Sequence, residues 1–326
     1  MDNNKKTKIL AVVGSTASGK TALSIQLAKA LGGEIISCDS MQIYRRMNVG
    51  TAKPTEEEKE GIPHHLIDIA EPDQPYSCAE YVKAAQEAIE KIASRGKLPI
   101  FCGGTGLYLD SLLRGGNFEE TVTDPALRQK LFDYAQIHGN HALHERLAAI
   151  DPESAAAIHE NNVKRVVRAI EIYETTGMTK TEADRKSRIP DSPYDATVLG
   201  IHYPERQILY DRINLRVDMM VEQGLPEETR RLMEEGVFDR NSTAAQAIGY
   251  KELLGYLRGE DTLEEALEHL KLATRRYAKR QITWFSAKPY VRWINATQNG
   301  SLRPFDEILR DALAIAQAPV TPKEEI

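Results

Sequence analysis

Residues Gly14-Ser15-Thr16-Ala17-Ser18-Gly19-Lys20-Thr21 narrow what this chain can fold into more than any other stretch. They follow an apolar run, Ile9-Leu10-Ala11-Val12-Val13, and open a helical pattern with Leu23, Leu27, Ala30 and Leu31 on one face. Strand, glycine loop and helix in that order are the setting in which G-x-x-x-x-G-K-[ST] acquires meaning. Glycines let successive N–H groups turn inward, and the helix N-terminus adds partial positive charge. Lys20 brings a compact cation, and the Thr21 hydroxyl suits a Mg²⁺ ion. A chance Gly/Ser turn would lack the flanking periodicities. The stretch therefore predicts a site for a di- or triphosphate, or a pyrophosphate ester. The fold it predicts is α/β, a mostly parallel sheet flanked by helices.

At 326 residues the chain is long enough for two folding regions. Its 41% hydrophobic and 28% charged content is that of an ordinary globular protein. No apolar run is long enough for a bilayer, which predicts no membrane partner. Met1-Asp2-Asn3-Asn4-Lys5-Lys6 leads straight into the first strand, so a cytoplasmic protein without a signal peptide is expected. Cys38, Cys78 and Cys102 are odd in number and lack C-x-x-C spacing, so they read as reduced, buried thiols and not as a zinc site. The net charge of −6 would disfavour nucleic acid if it were evenly spread. It is not: Lys271, Arg275, Arg276, Lys279, Arg280, Lys288 and Arg292 occur with no acidic residue among them. Local charge governs binding within a Debye length.

Further along, Glu34-Ile35-Ile36-Ser37-Cys38 reads as a second strand ending at Asp39-Ser40-Met41-Gln42-Ile43-Tyr44-Arg45. Ligands of open α/β sheets collect at the carboxyl ends of strands, which puts Asp39 beside the phosphate loop. Gly50 to Gly61 is a polar turn segment, and His64-His65-Leu66-Ile67-Asp68-Ile69 a short strand or edge. Its adjacent histidines point to opposite faces, a poor metal arrangement. Ser77 and Glu80 form a capping box for a helix to about Ser94. Leu98-Pro99-Ile100-Phe101-Cys102 is a strand running into Gly103-Gly104-Thr105-Gly106-Leu107-Tyr108, which places Thr105 at the same sheet edge as Asp39.

From about Phe118 to Pro193 helix follows helix, starting from the cap Asp124-Pro125, so residues 118–194 are predicted to form a helical insertion between core segments 1–117 and 195–326. Lys164, Arg165 and Arg168 cluster near the start of its last long helix, where the dipole disfavours cations; either a ligand or plain solvation accounts for them. Strand Ala196–Ile201 precedes a helix carrying Arg212 and Arg216 one turn apart. Such a pair suits a pyrophosphate, or pairs with Asp211, Asp218 or Glu222. A helix is predicted over Ala244–Arg258, and another from about Thr262 to Ser286. On the latter, cations interleave with Tyr277, Trp284 and Phe285, offering phosphate contacts and planes for stacked bases. A helix that buries its aromatics is the competing picture, and charge of one sign without carboxylates favours nucleic acid. A last strand, Val291–Ile294, a helix to Ala316 and a loose tail from Pro319 complete the prediction.

Taken together, the phosphate loop, Asp39-Ser40-Met41-Gln42-Ile43-Tyr44-Arg45, Gly103-Gly104-Thr105-Gly106-Leu107-Tyr108, Gln246-Ala247-Ile248-Gly249-Tyr250 and Lys279-Arg280-Gln281-Ile282-Thr283-Trp284-Phe285 resemble the tRNA dimethylallyltransferase family over almost the whole chain. The resemblance implies transfer of a dimethylallyl group from dimethylallyl diphosphate to N6 of the adenosine 3′ of the anticodon, in tRNAs reading codons that begin with U. It implies that Gly14, Ser15, Thr16, Ala17, Ser18, Gly19, Lys20 and Thr21 hold the prenyl diphosphate, with Mg²⁺ on Thr21 and help from Arg212 or Arg216. Asp39 is then the base for the N6 proton, Ser40, Met41 and Gln42 contact the extruded adenosine, and Thr105 contacts the reacting phosphate or the nucleotide. Contacts to the anticodon stem-loop are implied for Val163, Lys164, Arg165, Val166 and Val167, for Ala245, Gln246, Ala247, Ile248, Gly249 and Tyr250, and for Lys279, Arg280, Gln281, Ile282, Thr283, Trp284, Phe285 and Ser286. No obligate protein partner is implied. The rival reading is a small-molecule kinase binding ATP on the same loop.

Overall fold

The computed structural model describes residues 6–115, 124–186, 192–239 and 242–318. The chain forms two compact units, Met1–Leu113 with Asp191–Ile326, and Arg114–Pro190. The 117/118 boundary and the tail from Pro319 fall outside the described residues.

Among the described residues six strands make one parallel sheet in the larger unit: β1 Thr7–Gly14, β2 Gly33–Ser37, β3 His64–His65, β4 Leu98–Gly103, β5 Tyr194–His202 and β6 Val291–Asn295, in the order β3-β2-β4-β1-β5-β6. Helices cover both faces, so strands need apolar residues at odd and even positions alike. Ile9, Ala11, Val13, Ile36, Phe101 and Val198 enter one core layer, while Leu10, Val12, Ile35, Ile100, Leu199 and Ile201 enter the other. The chain adds strands to one side of β1 and then crosses to the other, so a topological switch point lies at the carboxyl end of β1. There the backbone turns from Gly14 into the helix Lys20–Leu31, with Gly19 at φ +89°.

Some helices begin where the sequence supplies a side-chain cap. Ser77 and Glu80 bracket the start of Cys78–Ser94, and Thr262 and Glu265 that of Leu263–Ser286. A capping box at Thr55 and Glu58 opens a one-turn helix, Glu56–Lys59, within the segment expected to be all turn. The helix expected over Ala244–Arg258 is broken instead. Ala247 is extended and Gly249 lies at φ +113°, leaving two 3₁₀ turns and the short helix Leu254–Leu257. All three cysteines are free thiols, with Cys38 buried and the others half-buried.

Among the described residues the smaller unit packs five helices, Pro125–His138, Asn140–Ile150, Pro152–Ala157, Val163–Thr176 and Lys180–Lys186, four of them contributing to a core that includes Leu131, Leu143, Leu147, Ala155, Val166 and Ile170. Glu171 is fully buried and accepts from the Asp124 amide at 3.0 Å and Arg128 at 2.8 Å. Arg168 pairs with the same carboxylate, an internal reason for a cation on that helix.

Candidate active site

Because all six strands run parallel, their carboxyl ends share one edge. β1 delivers the phosphate loop there, β2 delivers Asp39 and β4 delivers Gly103-Gly104-Thr105. Two helices, Arg206–Glu222 and Leu263–Ser286, pack antiparallel against each other beside that edge. Both touch the loop, through Arg212 Nε to the Ala17 carbonyl at 2.9 Å and the Thr16 amide to Gln281 Oε1 at 2.8 Å. Farther along they are joined by Arg275 to Asn214 at 2.7 Å and Lys271 to Asp218 at 2.9 Å. A cavity of about 290 Å³ lies between loop, strand tips and helices. Its polar end holds Thr16, Lys20, Thr21, Asp39 and Arg216, and its apolar lining includes Ile213, Val217, Met220 and Leu270.

Lys20 donates to the Ser15 carbonyl at 2.6 Å. Burial pulls its ammonium down to about 8, with Arg216 pushing the same way and Cys102 and Asp39 opposing. Arg216 is lowered by burial as well, with Asp39 opposing, and as a guanidinium it stays charged. Four cations, Lys20, Arg216, Lys251 and Arg280, therefore line one cavity with a single carboxylate, Asp39. That is an electrostatic setting for a polyanion. Asp39 Oδ1 accepts from the Met41 amide at 2.9 Å, and its other oxygen has no hydrogen-bond partner among the described residues. Thr21 and Asp39 offer oxygen donors to the same space. Mg²⁺ is commonly held by one carboxylate or hydroxyl plus substrate phosphates, so these residues fit an ion arriving with a diphosphate. No cluster of three His, Cys, Asp or Glu suited to a metal exists among the described residues.

The sequence-predicted residues divide by position. Thr16, Lys20, Thr21, Asp39, Ser40, Met41, Gln42, Arg216, Gln246, Ala247, Ile248, Gly249, Arg280 and Gln281 line the cavity. Thr105 stands behind it, accepting from the Ser40 amide at 3.0 Å and so bracing the turn that carries Asp39. Arg212 holds the outside of the phosphate loop and lies 5.8 Å from the Tyr203 ring centre. Of the two arginines, only Arg216 reaches the cavity.

Several side chains expected on RNA are interior. Phe285 is 1% and Gln281 5% exposed. Gln281 spans from the Thr16 amide to the Gly104 carbonyl, at 3.1 Å, and a side chain on Gly104 would collide with it at 1.9 Å. The Trp284 indole lies so close to Gly106 that an added methyl would meet it at 2.2 Å. The glycine turn after β4 thus admits the long helix at close quarters. Val166, Val167, Ala245 and Tyr250 are buried too, and Val163 packs on the smaller unit's core. Exposed members of the expected RNA contacts are Lys164, Arg165, Gln246, Lys279, Arg280, Thr283 and Ser286. On the long helix, exposed Arg276, Lys279, Arg280, Thr283 and Ser286 share one stripe, and Arg276 and Lys279 have no ion-pair partner among the described residues.

Sequence reasoning missed Thr274 and Leu270 and read Tyr277 only as a base-stacking aromatic; all three line the cavity one turn apart on the long helix. Their spacing of three and four was the available signal. It also missed Gly50, Thr51 and Ala52, whose place depends on distant partners.

Strand, glycine loop and helix at the switch point of a parallel sheet, opening on a cation-lined cavity, define an α/β protein of the P-loop fold class. A family model described as IPP transferase matches residues 42–288. The chain is 49% identical to a tRNA dimethylallyltransferase of Thermoanaerobacter sp. (strain X514) over 88% of its own length and 91% of that protein, and 51% identical to one of Acetivibrio thermocellus over 90% and 92%. It superposes on the crystal structure of a full-length tRNA isopentenylpyrophosphate transferase from Bacillus halodurans with a TM-score of 0.70 at 45% identity, covering 96% and 97% of the two chains. A eukaryotic dimethylallyltransferase described as acting on tRNA gives 0.78 at 31% identity, covering 98% of this chain and 82% of the other. This chain belongs to the IPP transferase family, whose curated relatives here are tRNA dimethylallyltransferases.

Proposed function

We propose that the protein transfers a dimethylallyl group from dimethylallyl diphosphate to N6 of the adenosine 3′ of the anticodon, in tRNAs reading codons that begin with U. The observation that carries this reading is the single cavity lined by Lys20, Thr21, Asp39 and Arg216. An exocyclic adenine amine is a weak nucleophile because its lone pair is conjugated, so the leaving group must depart easily. Lys20 and Arg216 bind the diphosphate and stabilise the negative charge that grows as the carbon–oxygen bond breaks. Its electron pair leaves with pyrophosphate, N6 bonds to the allylic carbon, and Asp39 takes the N6 proton. Mg²⁺, held by Thr21 and the phosphates, would add Lewis-acid neutralisation of the same charge. The target base must leave its stack, at a cost of about a few kcal/mol that contacts from Ser40–Gln42 and the basic stripe offset. The interior position of Phe285 removes it from any stacking role and leaves phosphate contact to the exposed cations.

The test is nucleoside mass spectrometry of tRNA incubated with the purified protein and dimethylallyl diphosphate. The expected outcome is a dimethylallyl-adenosine mass and pyrophosphate release only when both substrates are present. ADP formation from ATP and an alcohol, without nucleoside change, would establish the kinase reading instead.

A further inference from the structure

Glu228 lies on the helix Leu225–Glu234, is 5% exposed, and makes no close ion pair among the described residues, although its charge reaches the Lys53 ammonium. Its carboxylate is met instead by three consecutive amides from a segment about 180 residues away in the chain. Asn48 donates at 3.1 Å, Val49 at 2.9 and 3.1 Å, and Gly50 at 3.1 Å, with the Tyr250 hydroxyl adding a fourth donor at 2.7 Å. Burial, reinforced by the Glu228 charge, pushes the Tyr250 hydroxyl far up, so it remains a donor. Successive amides turned to one point form an anion nest, and here the protein fills that nest with its own carboxylate.

The bonds continue toward the reaction site. The carbonyls of the next two residues, Thr51 and Ala52, accept from Gln42 Nε2 at 3.3 and 3.2 Å. The other end of that amide, Gln42 Oε1, accepts from Ser37 Oγ at 2.8 Å. Ser37 and Gln42 bracket Asp39, so the turn bearing the proposed base is tied across its two ends. We infer that Glu228 is a positioning residue for the transfer: it locks the Asn48–Gly50 amides, and through Thr51, Ala52 and Gln42 it holds the Ser37–Gln42 turn at the cavity. This rests on the reading of Asp39 as the base.

The test is a double-mutant cycle on single-turnover transfer at saturating tRNA and dimethylallyl diphosphate. Glu228→Gln keeps the shape but replaces one acceptor oxygen with a donor. It is expected to slow transfer about tenfold or more while tRNA affinity stays within about twofold. In the Gln42→Ala background it should add little, because the connection is already cut. Effects that multiply in the double variant would overturn the inference, as would an unchanged rate in Glu228→Gln. Should Glu228→Gln not fold, the connection is read from its other end. Gln42→Ala should quicken amide exchange of Asn48, Val49 and Gly50 about tenfold relative to native protein, and undiminished protection would overturn it. Exchange needs no turnover, so a native enzyme that makes no modified nucleoside counts against the proposed function and leaves the clamp to be judged by exchange.

Discussion

Lys20 is where charge and burial pull hardest against each other. Its folded value of about 8 lies below the ordinary 10.5, so the folded protein prefers it neutral. Below pH 8 it is charged and its burial detracts from stability, and that penalty lifts as pH rises from 8 toward 10.5. A bound diphosphate restores the proton. Affinity for dimethylallyl diphosphate, whose ester lacks the most weakly acidic proton of free pyrophosphate, is therefore expected to weaken above about pH 8, approaching tenfold per pH unit, with proton uptake in calorimetry across two buffers. A pH-independent affinity from 7 to 10 would remove Lys20 from the anion site. The two arginines part company at the same scale. Arg216→Ala is expected to weaken pyrophosphate binding by about 1.5–3 kcal/mol with little change in melting temperature, as loss of a charged hydrogen-bond donor does. Arg212→Ala, by removing the strut under Ala17, is expected to lower the melting temperature as well. Identical behaviour of the two variants would contradict their different placements.

Helices and strands were legible in the sequence where local chemistry decides them. The β strands are apolar runs bounded by glycine and turn residues, and the Ser77 capping box marks its helix start outright. The stretch Ala244–Arg258 was not, because its apolar spacing suits a helix while Gly249 adopts a left-handed angle against the Gly50 backbone. Rotation of the long helix was equally hidden. Charge interleaved with aromatics looks the same whichever face is buried, and the deciding neighbours, Gly104 and Gly106, lie some 175 residues away in the chain. With that rotation known, the proposed RNA contact narrows to the exposed cations. Removing Arg276, Lys279 and Arg280 together by alanine substitution is expected to weaken tRNA binding and to reduce the slope of log affinity against log salt by about 2. A slope equal to the native one would take this stripe off the RNA.

Over the whole molecule, the phosphate loop alone dictated sheet type, switch point and the edge where a ligand sits, because a parallel sheet puts every strand's carboxyl end together. What the sequence could not show is which residues meet across long chain separations. Glu228, next to Glu227 in the sequence, is buried on amides that lie about 180 residues earlier in the chain. Among the described residues no helix is long and apolar enough to cross a membrane. The account as a whole requires that the anion end and the carboxylate of one cavity act in a single bond exchange. Single-turnover transfer to tRNA by Asp39→Ala, measured beside its tRNA affinity, reads this directly. The expected result is a rate lower by about 10²-fold or more with affinity within about threefold of native. A near-native rate would contradict it.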